Sequence, residues 1–385
     1  MMRPPIKVLS VFGTRPEAIK IAPVLRAMNK QSDRFNSIAC TTGQHRDMLY
    51  QVLESFEIPL HHDLNVMLEN QRLSELTARI ITKVEEVLTQ VRPDLLLVQG
   101  DTTTALAAAL AAFYNRIPAA HIEAGLRTGD MHRPFPEEAN RILTDRLSSF
   151  CFAPTELNRS NLIREGIPPD RIYVTGNTVV DALLLMADKV RTVSPELWSD
   201  HWGTANEAIL DSSRPLVLVT AHRRESFGDG LQAICEAIKD LAQGHPDWEF
   251  VYPVHLNPNV QNPAVRVLSG VRNIHLLKPL AYEPFVYLMT RARLILSDSG
   301  GIQEEACSLG KPVIVMREKT ERQEAVESGT VTLAGTDKGR IEELVVRFME
   351  DSSPPDQFNR RPNPYGDGDS ARRILDILWH EFREL

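Results

Sequence analysis

Short apolar runs rich in β-forming residues alternate along this chain with stretches whose apolar positions recur at helical spacing. In the first half the runs are Val8–Phe12, Ser37–Thr41, Leu95–Gln99, Ala119–Ile122, Phe150–Phe152 and Ile172–Val174. The same order restarts at Leu216–Thr220 and continues through Glu249–Tyr252, Ile274–Leu276, Leu294–Leu296, Val313–Val315 and Thr330–Leu333. Runs that are apolar throughout belong in sheets covered on both faces, and their alternation with helices calls for parallel strands. The expected fold class is therefore α/β, with two doubly wound, Rossmann-like domains facing a cleft. The first domain is expected over residues 1–190 and the second over 191–368, with a join near Thr192–Arg214 where the periodicity breaks. The last helical pattern, residues 369–385, is expected to pack back onto the first domain.

A chain of 385 residues, 43% of them hydrophobic, is long enough for two full cores. No apolar run is long enough to cross a bilayer, and Met1–Lys7 lacks the apolar core of a signal peptide, so a cytoplasmic location is expected. The four cysteines (Cys40, Cys151, Cys235, Cys307) are scattered and read as small core residues, not as a zinc or disulfide framework. A formal charge of −8 without a basic run disfavours nucleic acid as a partner. Any anionic ligand has to be held by local basic residues.

In open α/β sheets ligands bind beyond the carboxyl ends of the strands, which puts weight on the polar residues that follow each run. After Leu294–Ser297 comes Asp298-Ser-Gly-Gly-Ile-Gln-Glu-Glu305, leading into a helix. Gly300 and Gly301 allow close backbone approach, and the helix start favours a diphosphate; Glu304, one turn on, suits ribose hydroxyls. A plain capped turn is the alternative, since Asp and Ser are common caps. After the first strand, Gly13-Thr-Arg-Pro-Glu-Ala-Ile-Lys20 places Arg15 at a helix mouth beside Pro16, with Lys20 one turn inward. Asp101, in Gly100-Asp-Thr-Thr-Thr104, stands where a helix cap or a catalytic acid would stand. Glu123, in Glu123-Ala-Gly-Leu-Arg127, is either catalytic or paired with Arg127. Glu137 and Glu138 follow Pro136 in a first helical turn, where acidic residues stabilise a helix by ~0.3–1 kcal/mol without further purpose. In the second half, His222 stands beside Arg223 and Arg224 in Thr220–Gly228, a grouping that suits a diphosphate leaving group. Three carboxylates after the strands of one sheet, and a diphosphate cradle after those of another, point to a nucleotide-linked substrate and proton chemistry.

In these motifs, together with Pro253-Val-His-Leu-Asn-Pro258 and Asn363-Pro-Tyr-Gly-Asp-Gly368, the chain closely resembles the bacterial non-hydrolysing UDP-N-acetylglucosamine 2-epimerases, from about Lys7 to the final helix. The resemblance implies a glycosyltransferase-B-like fold and reversible conversion of UDP-N-acetylglucosamine to UDP-N-acetylmannosamine. A base removes the proton at carbon 2 while UDP leaves carbon 1; the resulting 2-acetamidoglucal is reprotonated on the other face and UDP adds back. Matching positions imply Asp101, Glu123, Glu137 and His222 as catalytic, with Asp101 and Glu137 as proton carriers. They imply Arg15, Lys20, Ser299, Gly300, Gly301 and Glu304 as UDP-binding. Gln44, Arg72 and His255 match a second, activating UDP-N-acetylglucosamine site. A homodimer is implied, feeding a cell-surface polysaccharide, and no metal, nicotinamide or other cofactor is required. The alternatives are a hydrolysing epimerase, an epimerase of a modified UDP sugar such as a diacetamido uronic acid, a UDP-sugar glycosyltransferase and a non-catalytic UDP-sugar sensor. His132-Arg-Pro, where the family more often has Tyr-Ser-Pro, keeps the modified sugar in view. Gln323, where Pro is common, is read as relaxing a turn.

Overall fold

In the computed structural model, residues 4–43, 46–68, 71–211, 213–320, 322–351 and 363–382 are described. The chain divides into two compact units, Met1–Ala182 with Tyr365–Leu385, and Leu183–Pro364. The first contains β1 (Ile6–Phe12), α1 (Arg15–Lys30), β2 (Phe35–Thr41), α2 (Arg46–Ser55), β3 (His62–Asp63), α3 (Leu73–Val91), β4 (Leu95–Gln99), α4 (Thr103–Tyr114), β5 (Ala119–Ile122), α5 (Glu137–Leu147), β6 (Phe150–Ala153), α6 (Glu156–Arg164), β7 (Ile172–Val174) and the start of α7 (Thr178–Thr192). Its seven strands lie in the order β3-β2-β1-β4-β5-β6-β7, all parallel.

Leu95–Gln99 is buried at every position, as a strand with helices on both faces must be. Helix α4 owes its place between α3 and α5 to alanines: Ala105, Ala107, Ala108, Ala109, Ala111 and Ala112 are all buried. Among the described residues, the one strand of this sheet absent from the apolar pattern is β3, a two-residue edge of polar His62 and Asp63.

The second unit contains, after the two short helices α8 (Ser199–Trp202) and α9 (Asn206–Leu210), β8 (Leu216–Thr220), α10 (Asp229–Gly244), β9 (Glu249–Pro253), α11 (Pro258–Leu268), β10 (Ile274–Leu277), α12 (Tyr282–Arg291), β11 (Leu294–Ser297), α13 (Gly300–Ser308), β12 (Val313–Val315), α14 (Gln323–Glu327), β13 (Val331–Leu333) and α15 (Lys338–Glu350). Its six parallel strands run β10-β9-β8-β11-β12-β13, again reversing direction beside the first strand in sequence. The aperiodic stretch before β8 is packed, not extended: Trp202 is fully buried and its ring lies 6.1 Å from that of Tyr287 on α12.

Helix α16 (Ser370–Glu381) returns to α1. Its start is held by Asp181 Oδ1, which accepts the Ala371 N–H at 2.7 Å, and its end by Trp379, edge-on to Phe35 with ring centroids 6.0 Å apart. Among the described residues, no helix is long and apolar enough to cross a membrane.

Candidate active site

The strand ends of the first unit carry a wired set of carboxylates. Glu123 follows β5 with a φ of +70°, a left-handed conformation that a non-glycine residue adopts only when its surroundings enforce it. Those surroundings include three donors: Lys20 Nζ at 2.5 Å and Asn177 Nδ2 at 3.2 Å on Oε1, and Gln99 Nε2 at 2.5 Å on Oε2. Glu123 is largely buried, so charge-assisted bonds of this kind hold its carboxylate in one orientation.

Asp101 is paired with the Arg141 guanidinium, and its carbonyl accepts Asn140 Nδ2 at 3.0 Å. Both partners lie on α5. The cap of α4 is instead Thr102, whose hydroxyl oxygen accepts the Ala105 N–H at 3.1 Å, which corrects the capping reading of Asp101 and leaves its carboxylate to Arg141. The alternative pairing of Glu123 with Arg127 is corrected too, because Arg127 is taken by Asp145 and Glu165, both at 2.7 Å.

Helix α5 starts after Pro136, with Glu137 and Glu138 in its first turn. The two carboxylates then part company. Glu138 is buried and accepts the Thr128 and Gly129 N–H groups and Arg141 Nη1, so it shapes the preceding loop. Glu137 Oε2 is buried with no hydrogen-bond partner among the described residues. A buried carboxylate oxygen left in that state is costly, and its cost has an explanation where a reacting group comes to it.

Behind β1, the loop is fixed by a capping box. Thr14 caps α1, and Glu17 Oε2 accepts the Gly13 and Thr14 N–H groups while Oε1 accepts the Thr102 hydroxyl at 2.6 Å. Burial pushes the Glu17 carboxyl above its ordinary range against these bonds. A Cβ on Gly13 would lie 2.3 Å from Thr42 Oγ1 and 2.5 Å from Thr104 Oγ1, so only glycine fits. Arg15 heads α1, partly buried. A cavity of about 280 Å³ lined in part by Arg127, Glu138, Arg164 and Glu165 contains none of the expected site residues.

The second unit is built differently at its strand ends. Ser299 stands at the N-cap of α13 but makes no side-chain capping bond, and a Cβ on Gly301 would meet nothing within 4 Å. The start of a nine-residue helix therefore keeps amide groups uncapped by Ser299 next to open space, which is what an anionic ligand needs. Glu304, buried one turn on, accepts Arg322 Nε at 2.8 Å. His222, on the loop after β8, stacks on the exposed His255 with ring centroids 5.7 Å apart and 18° between planes. Burial lowers its pKa below the ordinary 6.5, with Asp298 pulling it the other way.

The family model for UDP-N-acetylglucosamine 2-epimerase matches residues 26–379. The chain belongs to that family. It is 54% identical to the UDP-N-acetylglucosamine 2-epimerase of Yersinia pestis and 54% identical to that of Escherichia coli (strain K12), in each case over 97% of this chain and 98% of the relative. Among solved structures it resembles the Neisseria meningitidis UDP-GlcNAc 2-epimerase bound to UDP-GlcNAc, at a TM-score of 0.87 and 48% identity, covering 97% of this chain and 99% of that one. The fold is the glycosyltransferase-B-like, two-domain α/β arrangement of this family.

Of the expected residues, Lys20 and Glu123 are joined directly, and Asp101 and Glu137 are both tied to α5, one through Arg141 and one by membership. His222 and His255 are joined by stacking. Arg72 is exposed just before α3, its N–H donating to Glu75 Oε2 at 3.2 Å; Gln44 lies outside the described residues, as does the side chain of Gln323. Sequence reasoning missed the residues that hold these groups: Gln99, Asn177, Arg141, Asp298, and the buried His121, which bridges Asp145 Oδ1 at 2.6 Å and the Gly100 carbonyl at 2.8 Å. The strand-end rule would have found Asn177, three residues beyond β7, had that strand been followed outward like the others.

Proposed function

We propose that this enzyme interconverts UDP-N-acetylglucosamine and UDP-N-acetylmannosamine without hydrolysing either. The observation that carries the reading is the set of carboxylates in the first unit of a chain of this family: Glu123 and Asp101 held by side chains, and above all Glu137 with one oxygen buried and unpartnered among the described residues. Carbon 2 of the sugar is not next to a carbonyl, so its proton leaves with the departure of UDP from carbon 1. The C2–H electrons form the C1–C2 double bond of 2-acetamidoglucal, and the C1–O electrons go to the diphosphate. Return of a proton to the opposite face, with re-addition of UDP, inverts carbon 2 alone.

Two faces require acid/base groups on two sides. Asp101 and Glu137 are assigned as the proton carriers. Glu123, locked between Lys20, Gln99 and Asn177, orients the site and shares in proton handling. Arg15, Ser299, Gly300, Gly301 and Glu304 hold UDP, Lys20 assisting through Glu123, and His222 eases departure of the diphosphate. The assignment needs no metal or redox cofactor. The protein acts in the cytoplasm as a homodimer, and its product feeds cell-surface polysaccharide synthesis.

Product analysis after incubation with UDP-N-acetylglucosamine tests the reading. UDP-N-acetylmannosamine supports it. Free N-acetylmannosamine with UDP indicates the hydrolysing reaction, and sugar transferred only when an acceptor is present indicates a transferase.

A second UDP-N-acetylglucosamine acts as activator through Gln44, Arg72 and His255. The specific support is the contact of His255 with His222, which gives an activator position a direct neighbour in the proposed chemistry. Rates should be sigmoidal in substrate and become hyperbolic in His255→Ala; hyperbolic wild-type rates contradict this role.

A further inference from the structure

Asp298 opens the Ser-Gly-Gly turn and is completely buried, yet it caps nothing in α13, whose N-cap is Ser299. It reaches to another loop. Oδ2 accepts the backbone N–H groups of His222 and Arg223, both at 2.7 Å. Oδ1 lies 3.4 Å from His222 Nδ1 and has no hydrogen-bond partner among the described residues. Catalytic hydrogen bonds are often this long in an unliganded site and tighten when the site is filled. The His222 ring also faces Arg223 and His255, both of which oppose a second proton on it, whereas Asp298 favours one.

We propose that Asp298 is a positioning residue for the reaction: one carboxylate oxygen pins the His222–Arg223 backbone and the other holds the resident proton of His222 on Nδ1. Nε2 is then the nitrogen that exchanges a proton. As the C1–O bond breaks and its electron pair moves to the diphosphate, an imidazolium Nε2–H donates to that oxygen, and the proton returns to Nε2 when UDP adds back. The inference rests on the role given to His222 above, but its geometric part can be read without turnover.

Asp298→Asn separates the two oxygens. Its amide oxygen has to take the position facing the two backbone N–H groups, because an NH₂ there would meet two donors. The NH₂ is thereby aimed at His222 Nδ1, which becomes an acceptor, and the neutral ring carries its proton on Nε2. The backbone anchor survives while the tautomer is reversed.

The test is long-range ¹H–¹⁵N correlation NMR of the full chain labelled at histidine, with the His222 signal assigned by its loss in His222→Gln. Wild type is expected to show Nδ1–H and Asp298→Asn to show Nε2–H. In parallel, kcat of the variant should fall roughly 10²–10⁴-fold, with UDP affinity unchanged and the alkaline limb of its pH profile, which reports loss of the donating imidazolium, moved to lower pH. A purely structural Asp298 would lower thermal stability and leave the tautomer and that limb in place. An Nε2–H tautomer in wild type overturns the proposal whether or not the variant folds, as does wild-type kcat in a folded Asp298→Asn. If the tautomer depends on Asp298 but His222→Gln retains full turnover, the geometric assignment stands and the role of His222 in the reaction falls.

Discussion

The two units share a sheet plan but equip their strand ends in opposite ways. The first unit ends its strands in carboxylates, each held by side chains: Glu123 by Lys20, Gln99 and Asn177, and Asp101 by Arg141. The second ends β11 in serine and glycine, and its one buried carboxylate at that turn, Asp298, spends an oxygen on backbone N–H groups. Proton transfer needs a few side-chain atoms kept in place, and the orienting contacts of the first unit suit the proton-carrying role proposed for it. Holding a diphosphate needs backbone amides and room, and the open space at Gly301 suits the binding role proposed for the second unit. In the function proposed above, the same α/β plan thus serves mainly proton chemistry at the carbon 2 side in one copy and mainly diphosphate binding in the other.

The largest expected effect separates the two. Asp101→Asn or Glu137→Gln should lower turnover by ~10²–10⁴ while calorimetric UDP affinity stays near wild type. Loss of UDP binding in either variant would break the division of labour. A matched pair of glycine substitutions sharpens it. Gly301→Val places a side chain where the protein offers no neighbour within 4 Å, so UDP affinity should drop tenfold or more, about 1.4 kcal/mol, with little change in thermal stability. Gly13→Ala forces a Cβ to within 2.3 Å of Thr42 Oγ1 and should cost ~1–3 kcal/mol of stability in a denaturant titration, the first unit losing order, not a ligand.

The smallest effect is in pH dependence. Burial lowers the His222 pKa below 6.5, so between that folded value and 6.5 the unfolded chain binds more protons. Its contribution to stability is complete above pH 6.5 and is lost as pH falls through the folded pKa. Comparing wild type with His222→Gln by thermal melts across this window should show a flatter slope in the variant.

How much of this could be read from sequence depends on the range of the interaction. Among the described residues the apolar runs located twelve of the thirteen strands, because buried parallel strands are apolar throughout; β3 escaped because its two residues are His62 and Asp63. The strand-end rule found Asp101, Glu123, Glu137 and His222 as candidates. What holds them was not legible. Lys20 and Glu123 are 103 positions apart, Arg141 and Asp101 are 40 apart, and Asp298 reaches the His222 N–H across 76. Local rules explain a polar residue by its neighbours in sequence, so Asp298 and Asp101 both read as caps. In the fold, Thr102 takes the cap of α4 and Ser299 stands at the start of α13, freeing both aspartates for partners brought in by the sheet.

The most direct test of the account is proton NMR of the purified enzyme with UDP-N-acetylglucosamine in deuterium oxide, run for wild type, Asp101→Asn and Glu137→Gln. The account predicts UDP-N-acetylmannosamine with deuterium at carbon 2 from wild type, and neither product nor label at a comparable rate from the variants although both still bind UDP. Epimer formed by wild type without deuterium at carbon 2, or label entering as fast in both variants as in wild type, would contradict it.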